Sequence, residues 1–249
     1  MSSPIKTRLA DLDESLFVPR ELSWLSFNAR VLQEAADDTV PEIQRLRYLG
    51  IFSNNLDEFF RVRVAEVRRL ISVSRGAQRQ LAKELLAAIQ AEVVALQHDF
   101  ERVKKSVMGA LQERKIYMVN ERELDPGQAD FVQKYFTKTL LPELEPILFN
   151  DGSPIPVLND ESLYLAVDIE SGKDHRVAVV EVPTDRLDRF LEIPRPKGRN
   201  GRYIISLDNM IRACLPQMFR GVVPIDTAEA YCFKFSRDAE LELDASIME

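Results

Sequence analysis

The sequence predicts an α+β chain, in which an all-α helical bundle is followed by a mixed helix-and-strand part. Two observations carry this. From Arg20 to about Arg114, apolar residues recur every three or four positions, the period of helices with one buried face. After Arg114 that period gives way to short alternating runs such as Ser162–Ile169 (SLYLAVDI) and Val177–Val182 (VAVVEV), the pattern of half-buried strands. Residues 1–18 read as a flexible lead-in, 19–114 as the helical domain and 115–249 as the mixed domain. The mixed domain is expected to be truncated, because Ser246–Glu249 opens what looks like a helix with no cap.

Within the helical half, Leu22, Leu25, Leu32 and Ala36 place one apolar face on a helix from Arg20 to Asp37. Thr39 followed by Glu42 has the spacing of a capping box, with Pro41 tolerated in the first turn. The next helix carries Ile43, Leu46 and Leu49. A break is expected at Ser53-Asn54-Asn55, before a third segment with Leu56, Phe59, Phe60, Val64, Val67 and Ile71 on one side. Beyond Ser74–Gly76 a long helix is marked by Leu85, Ile89, Val93, Leu96, Phe100, Val103, Val107 and Leu111. Helices joined by such short turns make a bundle.

In the second half, Tyr117–Val119 is a short strand candidate. Asp125-Pro126 opens a helix, with aspartate as N-cap and proline in the first position, running to about Leu141. Prolines at 142, 146, 154 and 156 then cut the chain into extended pieces. The two alternating runs make an antiparallel pair joined through Gly172. Ser206–Phe219 is expected to be helical and Ala230–Phe235 a strand. The basic segment Arg195–Arg202 (RPKGRNGR) lacks the glycine order of a phosphate-binding loop ending in Lys-Ser/Thr, so it is expected to be a solvent loop.

Composition excludes several classes. With 45% hydrophobic and 29% charged residues, the chain can bury a core and is not disordered by composition. No run approaches the ~18–20 apolar residues of a membrane span. The N-terminus lacks an apolar signal core. Cys214 and Cys232 are too few for a disulfide framework. A cytoplasmic location is the expectation that follows. The net charge of -7 speaks against a nucleic-acid binder, which needs a basic surface. The acidity is uneven: residues 1–112 hold 16 Lys/Arg and 15 Asp/Glu, the remainder 17 and 25. Arg61, Arg63, Arg68, Arg69, Arg75 and Arg79 surround a single acid, Glu66. Such a strip can meet a polyanion or be a solvated helix face, and charge alone favours the second.

The densest stretch is Leu49–Arg63 (LGIFSNNLDEFFRVR). Asn55, with Glu58 three residues on, has the spacing of a helix start, where free backbone N–H groups and the positive dipole end suit a phosphate or a polar ring edge. Its amide offers both donor and acceptor, as recognition of a purine or ribose demands. Plain helix capping remains the alternative, and Asp57 and Glu58 read as ordinary first-turn acids.

These phrases also carry a resemblance. Arg20–Ala35 (RELSWLSFNARVLQEA) and Arg45–Glu66 (RLRYLGIFSNNLDEFFRVRVAE) resemble the opening of the long-chain, phospholipase-D-like bacterial polyphosphate kinases. The likeness continues through Ile116–Arg122, Tyr164–Ile169, Val180–Pro183, Leu207–Asn209 and Lys234–Glu240. It implies an enzyme that reversibly moves the terminal phosphate of ATP onto polyphosphate, leaving ADP, through a phosphorylated histidine and with Mg²⁺. It implies a nucleotide-facing helical domain, a supporting α+β domain and a homodimer or larger assembly. The second asparagine of the matched run, Asn55, would contact ATP, and Arg61 and Arg63 are candidate phosphate contacts. Neither His98 nor His175 matches a catalytic position. No catalytic residue and no Mg²⁺ ligand is therefore expected here, and the chain alone should be inactive. The competing reading is an independent helical interaction module with no nucleotide role.

Overall fold

The computed structural model describes residues 18–149, 157–160, 162–172 and 174–237. The lead-in before Val18, the prolines at 154 and 156 and the Ser246–Glu249 segment lie outside them. A helical N-terminal region is followed by a mixed helix and sheet region, as the sequence patterns predict. The chain forms two compact units that divide between Val107 and Met108, a point inside the longest helix.

The helical unit begins with α1 (Arg20–Ala36) and α2 (Glu42–Phe59). A single π turn, Phe60–Val64, joins α2 to α3 (Ala65–Val73) without a loop. The long helix α4 (Gly76–Glu113) follows. On α1 the buried residues are Glu21, Leu25, Asn28, Leu32 and Ala35, a strict three-and-four spacing that turns one stripe toward α2. On α4 the buried stripe is Ala82, Ile89, Val93, Leu96, Val103 and Val107. Trp24 stacks on Phe59 at 4.8 Å, and Phe52 of α2 stacks on Phe100 of α4 at 5.4 Å.

Two expectations for this unit are corrected. The Ser53-Asn54-Asn55 break does not exist: α2 runs through it, because Leu49, Phe52 and Phe59 bury a stripe on both sides and packing overrides the weak helix preference of Ser and Asn. Nor do Thr39 and Glu42 form a capping box. The backbone N–H and hydroxyl of Thr39 both donate to Asp37 Oδ1, at 2.8 and 2.7 Å, which lowers the Asp37 pKa. Pro41 occupies the N-cap of α2 instead.

The C-terminal end of α1 is closed by a side chain. Arg45 of α2 is 4% exposed, and its Nε donates to the Ala35 carbonyl at 2.8 Å. Its Nη2 reaches the Ala36 carbonyl at 3.5 Å and the Ser106 hydroxyl of α4 at 3.3 Å. A cation there satisfies helix-end carbonyls and complements the dipole of α1.

The mixed unit holds two sheets. β1 (Ile116–Met118) runs parallel to β6 (Arg202–Ser206), which pairs antiparallel with β5 (Phe190–Ile193). The second sheet is antiparallel in the order β2 (Ile147–Phe149), β4 (Asp174–Val182), β3 (Leu163–Ser171), β7 (Thr227–Lys234). Gly172, at φ +60°, makes the predicted β3–β4 connection, its N–H held by Asp226 at 2.6 Å. Helix α5 (Pro126–Tyr135) starts in a full capping box: Asp125 accepts from the Gln128 backbone at 2.8 Å, and Gln128 accepts in return at 3.2 Å. A π turn, Phe136–Leu140, extends α5 to the predicted end. The expected helix Ser206–Phe219 is two short ones, α6 (Leu207–Ala213) and α7 (Leu215–Met218), parted at Cys214 just ahead of Pro216. The core packs α5–α7 against the inner faces of the sheets, where Leu165, Val167, Val180, Ile205, Met210 and Phe219 are buried.

The RPKGRNGR segment is a loop as expected, and the structure explains its last glycine. Lys115 ends α4 in a left-handed conformation, at φ +61°. Its carbonyl accepts from Arg202 N at 2.8 Å and so opens the β1–β6 ladder. Gly201 sits at φ +113°, and a Cβ there would overlap that same carbonyl oxygen.

Two outcomes follow for urea unfolding of the chain. Gly201→Ala should destabilise the mixed unit by about 2 kcal/mol; an unshifted transition contradicts the close approach. Arg45→Met, which keeps the buried volume but strands the Ala35 carbonyl, should cost roughly 2–3 kcal/mol; a neutral result contradicts the helix-end role.

Candidate functional site

Asn55 lies inside α2, half-buried, on the side facing α1. Its Nδ2 donates to Asn28 Oδ1 at 3.1 Å. Asn28, wholly buried, in turn donates its Nδ2 to the Phe52 carbonyl at 3.2 Å. The amide of Asn55 is therefore not a cap over free N–H groups, which corrects the helix-start expectation. It is one end of a two-residue polar bridge between α1 and α2. Asn28 is the residue that motif reasoning passed over. Its place on the Leu25–Leu32 stripe was the available signal: a polar side chain at a core position must find a partner.

Arg61 and Arg63 project from the π turn and are both partly exposed. Arg61 Nε bonds Glu58 Oε2 at 2.9 Å. Arg63 Nη1 bonds Glu66 Oε2 at 3.1 Å, and Arg20 of α1 reaches the same oxygen at 3.2 Å. The arginine strip is thus interleaved with acids at its start, and Arg68, Arg69, Arg75 and Arg79 are exposed. π turns are rare and concentrate at functional positions. This one falls directly on the phrase LDEFFRVR.

A cleft of about 470 Å³ is lined by Phe52, Ser53, Leu56 and Asp57 of α2 and by Gln97, Phe100 and Glu101 of α4. Asn55 is not among its lining residues, so the cleft and the Asn55 amide occupy different sides of the same helix. His98 is exposed on α4. His175 is exposed on β4 with its Nε2 against the Asp168 carboxylate.

A second cluster lies in the mixed unit. Arg212 Nη1 bonds Asp208 at 2.8 Å and Asn209 at 2.7 Å, and its Nε bonds the Ala230 carbonyl at 3.0 Å. Its Nη2 also donates to Cys232 Sγ at 2.9 Å. These contacts tie α6, which carries the matched phrase Leu207–Asn209, to edge strand β7. Partial burial and then Asp208 push the Cys232 thiol pKa up, while Arg212 pulls it down. Burial alone raises Cys214 to about 11. Among the described residues, no group of three or more His, Cys, Asp or Glu is placed to hold a metal ion.

A helical domain leading into an α+β domain, with the Asn28–Asn55 bridge and the π turn at the centre of its most distinctive phrase, can be set beside known proteins. Residues 17–119 match the family model of the polyphosphate kinase N-terminal domain, and residues 127–249 that of the polyphosphate kinase middle domain. The chain belongs to the polyphosphate kinase family. The polyphosphate kinase of Vibrio cholerae is 46% identical over 233 residues, covering 92% of this chain and 33% of that protein. That of Escherichia coli is 41% identical over 243 residues, covering 95% and 35%. The crystal structure of polyphosphate kinase from Porphyromonas gingivalis superposes with a TM-score of 0.76 at 33% identity, over 90% of this chain and 33% of that one. The chain spans about a third of the length of these relatives.

Thiol labelling tests the second cluster. At pH 8 one cysteine, Cys232, should react in the native chain and two in denaturant; two native reactions would contradict the burial of Cys214. The folded state holds the Cys214 thiol neutral. Its stabilising contribution is therefore complete below about pH 9 and drains away as pH rises toward about 11.

Proposed function

We propose that this chain supplies the N-terminal and middle domains of a polyphosphate kinase, an enzyme that reversibly transfers the terminal phosphate of ATP to polyphosphate and releases ADP. The observation that carries this reading is the match of two consecutive family domains, in order, along the chain. In this reading the phosphate passes through a phosphorylated histidine that is neither His98 nor His175. The chain by itself is inactive, and the assembled enzyme is a homo-oligomer. Mg²⁺ is the metal the family implies. It would shield charge on the transferring phosphate when bound.

The residues of this chain act on the nucleotide side. Asn55 offers a half-exposed amide to the nucleoside. Arg61 and Arg63 exchange part of their pairing with Glu58 and Glu66 for phosphate oxygens, to which the planar guanidinium donates in the same two-pronged geometry as to a carboxylate. No helix among the described residues is long and apolar enough to cross a membrane. The enzyme is proposed to work in the cytoplasm.

The test is Asn55→Ala in the full-length enzyme. Losing one hydrogen bond to the nucleoside should raise the KM for ATP about five- to tenfold. The melting temperature is measured in parallel, because Asn28 loses its donor as well. A KM equal to that of the parent would remove Asn55 from the site.

A further inference from the structure

The bridge between α1 and α2 fixes more than packing. An asparagine amide is nearly symmetric in shape, and what it offers a ligand depends on which way round it is held. Here the answer is set from a backbone carbonyl outward. The Phe52 carbonyl can only accept, so the end of Asn28 that meets it must be the nitrogen. The other end of Asn28, its oxygen, then faces Asn55 and can also only accept. Asn55 must therefore turn its own nitrogen inward, as the 3.1 Å contact records. Its oxygen is left on the half-exposed side, with no hydrogen-bond partner among the described residues.

We propose that Asn28 is a positioning residue that sets the polarity of Asn55, so that Asn55 presents a fixed acceptor to an N–H or O–H donor of the nucleoside. This rests on the reading that Asn55 meets the nucleotide. An unanchored amide could turn over and offer either end. An anchored one rewards a donor and penalises a group that lacks one, because a buried polar atom without a partner is costly. Two nucleoside groups supply such a donor, the exocyclic amine of the base and a ribose hydroxyl. The shared chemistry is a hydrogen-bond donor aimed at Asn55 Oδ1.

The test is a ratio, measured on the full-length enzyme. The kcat/KM for ATP is divided by that for purine riboside triphosphate, which lacks the 6-amine, and by that for 2′-deoxy-ATP, which lacks a hydroxyl. The parent should discriminate about tenfold against one of the two, and which one identifies the donor. Asn28→Leu, which keeps the buried site filled, and Asn28→Ala, which empties it, should both reduce that discrimination to less than about threefold. A ratio taken on one preparation does not depend on how much enzyme is folded, so a merely structural role for Asn28 leaves it unchanged. Discrimination retained in both Asn28 variants, or absent in the parent, overturns the proposal. Asn55→Ala separates the two levels. If it abolishes discrimination while the Asn28 variants keep it, only the positioning role fails. If it changes neither discrimination nor KM, the nucleotide reading of Asn55 fails with it.

Discussion

The register between α1 and α2 is the constraint on which the candidate site depends, and polar rather than apolar contacts set it. Leucine and phenylalanine stripes can slide past one another by a turn and still bury similar area. A buried donor has few places to go. Arg45 closes the C-terminal carbonyls of α1, and Asn28 spans from α1 to the Phe52 carbonyl and the Asn55 amide. Sliding α1 by one turn would strand a guanidinium and two amides together. Each stranded group costs about 1–3 kcal/mol, more for the charged one. The site inherits its geometry from that penalty.

Charge is handled by a similar economy. The protein is acidic overall, yet the rod from α2 to α3 carries arginines in close sequence. Glu58 and Glu66 hold Arg61, Arg63 and Arg20 in defined poses on the surface. Exposed pairs of this kind contribute little to stability. Their effect is orientation: the guanidinium planes are kept near the helix surface, and a stronger anion can exchange with the carboxylates.

Much of this was legible in the chain itself. The α4 stripe, the Asp125 capping box and the β3–β4 connection at Gly172 are local patterns, each written within a few residues. What sequence reasoning misread has two causes, a distant partner in one case and a competing local one in the other. Ser53-Asn54-Asn55 looks like a helix break because those side chains compete locally for backbone groups, but Asn55 finds its partner on another helix. Thr39 has the spacing of a cap and spends its bonds on Asp37. The need for glycine at 201 comes from Lys115, far away in sequence, and the parallel pairing of β1 with β6 is equally non-local. Asn28 was hidden for the opposite reason: it sits in a distinctive phrase, but its significance is its helical phase rather than its type.

The π turn between α2 and α3 has a consequence for how this rod can vary. Buried Phe59 and Val64 are five positions apart, where an unbroken α-helix would bring the stripe round in four. One residue has been absorbed into the coil without a loop to hold it, and every side chain beyond Phe60 is rotated by about a quarter-turn as a result. Because the π turn takes up this extra residue, deleting one of residues 60 to 63 would restore the four-residue spacing between Phe59 and Val64 and leave Val64, Ala65 and Val67 facing the core. An unbroken α-helix of the present length would instead turn them out of the core, so the residue count here and the wider turn go together.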